Sequence, residues 1–136
     1  PSEAGAALLY DINTDELRFA ALRGPGAEER RGDGVPRQAG LMGAATRDPG
    51  TPLLVNDVGG DGRYDPGSDG RVGLEPASMA LVAVARQGRL LGLIQLVNRR
   101  GASRFAPDDA NLLAYVADKL GEFLVEARMR SEPPPG

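Results

Sequence analysis

The stretch Leu90–Asp109, LLGLIQLVNRRGASRFAPDD, decides how the rest of the chain is read. Its first part, Leu90–Asn98, is almost continuously apolar, as a strand covered on both faces requires. A short basic loop follows, then one aromatic residue, Phe105, then the acidic opening of a helix. Pro107 suits the first helical position, and Asp108 and Asp109 suit the positive end of the helix dipole. Ala106 is a poor N-cap, so Asp109 is expected to take part of that task from the third position. Asn98, Arg99, Phe105 and Asp109 are spaced to lock a strand end, a cation and a helix start into a structural clasp. None of this is catalytic machinery.

Downstream, the helix is expected to run from Pro107 to about Arg130, with Leu112, Leu113, Val116, Leu120, Phe123, Leu124 and Ala127 on one stripe. It is ~36 Å long, more than a sheet of this size needs. Ser131 and the prolines after it end the helix, so residues 1–130 read as one domain and 131–136 as a Pro-rich linker or chain end.

Upstream, Met79–Arg86 and the turn Gln87-Gly88-Arg89 make a hairpin with Leu90–Asn98, both strands central. Strict alternation puts Leu91, Leu93, Gln95 and Val97 on one face, and Leu90, Ile94 and Leu96 on the other. Gln95 is the polar side chain on that central strand and must find a partner. It either bonds a nearby loop backbone or faces a cavity and reads a ligand.

The chain opens with a second hairpin, Ala6–Asp11 and Glu16–Arg23, in which Leu17, Phe19 and Ala21 alternate toward the core. A polar loop follows to Gly34. Gly40-Leu41-Met42-Gly43 begins a short helix ended by Asp48-Pro49-Gly50; its glycines either cradle an anion or allow close helix–sheet packing. Leu53–Asn56 is a further strand. Asp57–Pro76 has no periodicity and the length of a lid, with Asp57, Asp61, Asp65 and Asp69 at four-residue intervals beside Arg63, Tyr64 and Arg71. It is not a calcium loop, because Gly67 takes the third ligand place and Glu75 falls one residue short of the bidentate one.

Composition closes several function classes. The 136 residues contain no Cys and no His, which removes thiol nucleophiles, thiolate metal sites, the usual haem ligand and the usual general base. No metal or cofactor is expected. The net charge of -3 gives no reason to expect nucleic acid or membrane as partner. No apolar run approaches the length of a membrane helix, no signal peptide opens the chain, and a cytoplasmic location is expected. The 19 Gly and 11 Pro gather between periodic segments, as turn-rich connections do.

The order strand, strand, short helix, strand, long loop, strand, strand, long helix resembles a GAF domain over nearly the whole chain. GLMGAATRDPGTPLLVNDV is similar to that family's Gly-x-x-Gly helix and following strand, and DGRYDPGSDG to its Asp-x-Arg-aromatic segment. GLIQLVNRRGASRFAPDDANLL is similar to the Asn-Lys-(x)n-Phe-x3-Asp-Glu signature of GAF domains in cyclic-nucleotide phosphodiesterases. Arg99 stands where that signature has Lys, and Ala110 where it has Glu.

The resemblance implies an α+β fold: a five- to six-stranded antiparallel sheet, helices on one face, a loop-covered pocket on the other. It implies an Arg99–Asp109 salt bridge and keeps the ligand-contact places of Asp69 and of the Leu41-Met42 backbone; a ligand under residues 57–76 is expected to meet Leu41, Met42 and Asp69 together with Tyr64, Arg71 and Gln95. Ala6, Arg23, Val72, Pro76 and Gln95 replace polar or acidic places that hold a cyclic nucleotide, so cyclic AMP or GMP is disfavoured. The expected function is non-enzymatic: a sensory domain of a multidomain, bacterial-type signalling protein that binds an unidentified small molecule under residues 57–76. Its C-terminal helix would transmit the signal and pair the parent protein into a homodimer. The alternative is a ligand-free dimerisation or protein-interaction module.

Overall fold

The structure is a computed structural model and describes residues 2–24, 27–70, 76–99 and 104–131. Among these, six strands form one antiparallel sheet in the order β3-β2-β1-β6-β5-β4. They are β1 (Ser2–Asp11), β2 (Glu16–Arg23), β3 (Gly34–Pro36), β4 (Leu53–Val55), β5 (Met79–Arg86) and β6 (Arg89–Arg99). Between them lie α1 (Ala27–Arg30), α2 (Gly40–Thr46) and α3 (Pro66–Asp69), and α4 (Pro107–Ser131) closes the fold. The α+β class and the antiparallel sheet agree with the sequence reading.

The sheet has two apolar faces. On one, Leu8, Leu17, Phe19, Met79, Leu81 and Leu93 pack with Leu41 and Met42 of α2. On the other, Ala80, Val82 and Val84 pack with Phe105 and with Leu113 and Ala117 of α4. Strand β5 is therefore covered twice, which is why MALVAVAR carries no polar residue before its end.

Two bulges change the alternation read from sequence. Ala7 pairs with Ala21 but Leu8 pairs with Phe19, so Ala20 is the extra residue in β2. Ala21 is thereby turned out to solvent, and Leu22 joins the core in its place. Likewise Ala85 pairs with Leu90 but Val84 pairs with Gly92, which leaves Leu91 unpaired in β6. Leu91 flips to the α4 side with Ile94 and Leu96, away from Leu93 and Gln95.

The stripe expected on α4 is wider than the surface the sheet buries. Leu113 and Ala117 are buried, whereas Leu112, Val116 and Phe123 remain 59%, 41% and 60% exposed. Arg86 pins the middle of the helix from the end of β5: its Nη2 donates to the Asp118 carbonyl at 2.8 Å and meets Asp118 Oδ1 at 3.0 Å.

The approach to α4 is held by asparagines. Asn98 sits at φ 53°, a left-handed conformation that asparagine tolerates. Its Oδ1 accepts from the N–H groups of Ala77 and Ser78 at 2.8 and 3.2 Å. Asn56 clamps Phe105 by both backbone groups: Phe105 N–H donates to Oδ1 at 2.7 Å, and Nδ2 donates to the Phe105 carbonyl at 3.1 Å. Asp109 Oδ2 accepts from Ala106 N–H at 2.7 Å, the third-position cap read from the sequence. The Arg99 side chain, the expected partner of Asp109, lies outside the described residues. Asn56→Ala removes both bonds to Phe105 and is expected to cost about 1.5 kcal/mol in urea unfolding, where Asn56→Asp, which keeps the acceptor, costs less.

Candidate functional site

Asp69, at the end of α3, is the centre of the candidate site. It is fully buried, and its carboxylate accepts three backbone N–H bonds from two elements. Oδ2 takes Leu41 at 2.7 Å and Asp65 at 2.9 Å; Oδ1 takes Met42 at 3.1 Å. The free N–H groups that open α2 are thus filled from within the chain, and no side chain on α2 itself caps the helix.

The glycines of GLMG allow this approach. Gly40 lies at φ 65°, and a Cβ there would stand 2.2 Å from Asp69 Oδ2. A Cβ on Gly43 would stand 2.3 Å from the Gln38 carbonyl oxygen. The anion reading of the motif therefore holds in part, the anion being the chain's own Asp69, while the close approach at Gly43 is to the Gln38 backbone ahead of the helix and not to the sheet.

Gln95 joins the lid to the sheet. Its Nε2 donates to the Asp69 carbonyl at 2.9 Å and contacts Met79 Sδ at 3.3 Å. This is the loop-backbone partner that a buried amide was expected to find. Its Oε1 is also buried and has no hydrogen-bond partner among the described residues. Leu41, Met42, Asp69 and Gln95 are thus brought together, with Tyr64 packed at the margin of the same apolar cluster. Arg71 lies outside the described residues.

The other lid carboxylates hold the loop in shape. Asp57 caps the turn Val58–Gly60, its Oδ1 accepting from Gly60 N–H at 3.2 Å. Asp61 accepts from Arg63 Nη2 at 2.7 Å, Nε at 3.0 Å and the backbone N–H at 2.9 Å.

Two lid carboxylates are shifted in opposite directions. The Arg63 guanidinium beside Asp61 pulls its pKa down to about 2. Burial lifts Asp69 above its ordinary value of 3.8, against the pull of its three N–H donors. The linkage signs are opposite too. The Asp61 contribution to stability is present above the unfolded value and is lost as pH falls toward about 2. Folded Asp69 holds its proton more tightly than the unfolded chain does, so acidification through its raised value favours the fold. Carboxyl-detected NMR titration should therefore find Asp61 near about 2 and Asp69 above 3.8, and Arg63→Ala should return only Asp61 toward 3.8.

Sequence reasoning missed Asn56 and Arg86 as ties between sheet and α4. The one available signal was a polar residue ending an apolar strand, at LLVN and at MALVAVAR.

Solved structures of the same fold bear on the assignment. The chain is similar to the GAF domain of a phosphoenolpyruvate-protein phosphotransferase from Coxiella burnetii, with 21% identity and a TM-score of 0.80 over 96% of this chain and 76% of that one. It is similar to a domain of a putative two-component sensor histidine kinase from Sinorhizobium meliloti, with 23% identity and a TM-score of 0.70 over 95% and 83%. It is also similar to free methionine-R-sulfoxide reductase from Neisseria meningitidis, with 23% identity and a TM-score of 0.70 over 93% and 71%. No curated protein matches the sequence. The family profile described as GAF domain matches residues 3–123, which is most of the chain and includes β1, the α2 cradle, the lid and most of α4. The chain belongs to the GAF domain family.

Proposed function

We propose that this chain is a non-enzymatic sensory domain of a multidomain signalling protein, in which a small ligand enters under residues 57–76 and α4 carries the response onward. The observation behind this reading is the Asp69–Gln95 junction. One lid residue ties α2 by its carboxylate and β6 by its carbonyl, and the buried Gln95 Oε1 beside it lacks a donor. A ligand that offers a donor to Oε1 replaces an unmet hydrogen bond with a made one, which is worth about 1–3 kcal/mol in a buried site. On the opposite face of β6, Ile94 and Leu96 pack in the α4 cluster, so a shift of the strand is felt by the helix. The Coxiella and Sinorhizobium neighbours, parts of a phosphotransferase and a sensor kinase, support a signalling role. The Neisseria enzyme does not extend its activity here by a thiol route, because this sequence has no cysteine. Among the described residues no helix is long and apolar enough to cross a membrane.

Native mass spectrometry of freshly purified protein tests the reading. The expected result is a bound small molecule that is neither cyclic AMP nor cyclic GMP, and that Gln95→Ala releases without loss of the folded signal. A bare mass, with no melting shift across a metabolite panel, overturns it.

A second reading, a ligand-free assembly module, is favoured by two observations. Met42, Met79 and Leu93 already fill the α2 face of the sheet, and α4 leaves an apolar flank exposed.

A further inference from the structure

The lid is rooted on both faces of the sheet. Leu53 and Val55 of β4 belong to the α2 side, so Leu54 and the next residue, Asn56, belong to the α4 side. There Asn56 clamps the backbone of Phe105, whose ring packs with Ala80, Val82 and Leu113 and so moves with the start of α4. Two residues later the chain has crossed the sheet: Val58 is buried in the same cluster as Leu41 and Met42.

The returning end of the lid meets the same place. Val58 N–H donates to the Ala77 carbonyl at 3.1 Å, which joins the two ends. Asn98 Oδ1 holds the N–H groups of Ala77 and Ser78, and Asn98 N–H donates to the Ser78 carbonyl at 2.9 Å. Packing around this junction is open, with a cleft of about 590 Å³ between Leu54, Asn56, Asp57, Ala77 and Arg104. The ties between lid base and helix entry are therefore hydrogen bonds. From Asp57 to Asp69 the lid is a string of closed turns: Gly60 bonds back to Asp57, Asp61 to Val58, Tyr64 to Asp61, and Asp69 to Asp65. Such a segment passes on a displacement at one end instead of absorbing it.

We propose that Asn56 couples the lid to the start of α4: release of Asp69 from α2 loosens the Asn56–Phe105 clamp, and with it the first turn of the helix. What this coupling carries rests on the sensory reading; the path itself is separate from a shift of β6. It joins two states, lid latched with helix start docked and lid released with helix start frayed. Linkage makes the effect reciprocal, so freeing Phe105 must weaken the Asp69 latch by the same factor. Asn56 touches neither Asp69 nor the α2 amides, and its role in the latch is that of a positioning residue.

Native-state hydrogen exchange tests this without any ligand. The control is Leu17→Ala, a chain destabilised through β2 instead of the lid. In Asp69→Asn, the amides of Asp109, Ala110 and Leu113 should exchange about tenfold faster than in Leu17→Ala, although they lie across the sheet from residue 69. Asn56→Ala should in turn quicken Leu41, Met42 and Asp65 about tenfold. Asn56→Asp, which keeps the acceptor for Phe105 N–H, should quicken them less. In Asn56→Ala/Asp69→Asn the second substitution should add less than about threefold at either set of amides. An Asp69→Asn chain that frees Leu41 and Met42 but leaves Asp109, Ala110 and Leu113 as in Leu17→Ala overturns the coupling. So does a double variant whose effects multiply in full. Either result leaves ligand binding untouched, whereas a bare mass in native mass spectrometry sinks the sensory reading and leaves the coupling standing.

Discussion

Replacing Asp69 with asparagine is expected to destabilise the domain by about 3 kcal/mol, although the side chains are nearly the same size. The carboxylate offers two acceptor atoms to three N–H donors. An amide keeps one acceptor for Leu41 and Asp65 and sets an NH2 group against Met42 N–H, donor facing donor. The loss is partly offset because a neutral side chain no longer has to bury charge, the effect that raises the Asp69 pKa. Urea unfolding reads the net. Hydrogen exchange at Leu41, Met42 and Asp65 separates a local opening from a global loss: those amides should lose protection before β5 does. Equal protection in Asp69→Asn and the parent chain would show that the carboxylate is not what holds the lid.

Gly40→Ala should cost a similar amount, about 3 kcal/mol, for a different reason. About 1–2 kcal/mol comes from placing a side chain in the left-handed region, and the rest from a methyl group driven into Asp69 Oδ2. The two substitutions act on one contact, so their sum should overestimate the double variant Gly40→Ala/Asp69→Asn by more than about 1 kcal/mol. Strict additivity would mean that the glycine serves only its own backbone conformation.

The strands were legible because apolar runs and turn residues in this chain are sharply separated. Glu16–Arg23 and Met79–Arg86 were read to the residue, and α4 to within one at its end. Strand β3 was hidden because its three residues include a proline and a glycine, and it pairs only at the edge of the sheet. Bulges at Ala20 and Leu91 were hidden too, since an extra residue in one strand leaves no periodic mark of its own. The site was legible as a set of residues: Leu41, Met42, Asp69 and Gln95 do meet. Their relation to one another was not. A list of polar groups near a pocket does not say that one of them already occupies the donors offered by another.

The sheet order has a consequence for how the protein is made. Ser2 at the start of β1 pairs with Arg99 at the end of β6, and this first-to-last pairing lies at the middle of the sheet. The β1–β2 hairpin is the local pairing available first, and the inner edge of β1 has no partner until β6 is made. During translation that edge is an unpaired strand with Ala4, Ala6 and Leu8 bare, a template for association with other nascent chains. Closure across so long a loop is also slow. Newly made chains should therefore depend on holding factors until residue 99 clears the ribosome, and a circular permutant opened between β4 and β5, which makes β5, β6 and α4 ahead of β1, should fold faster.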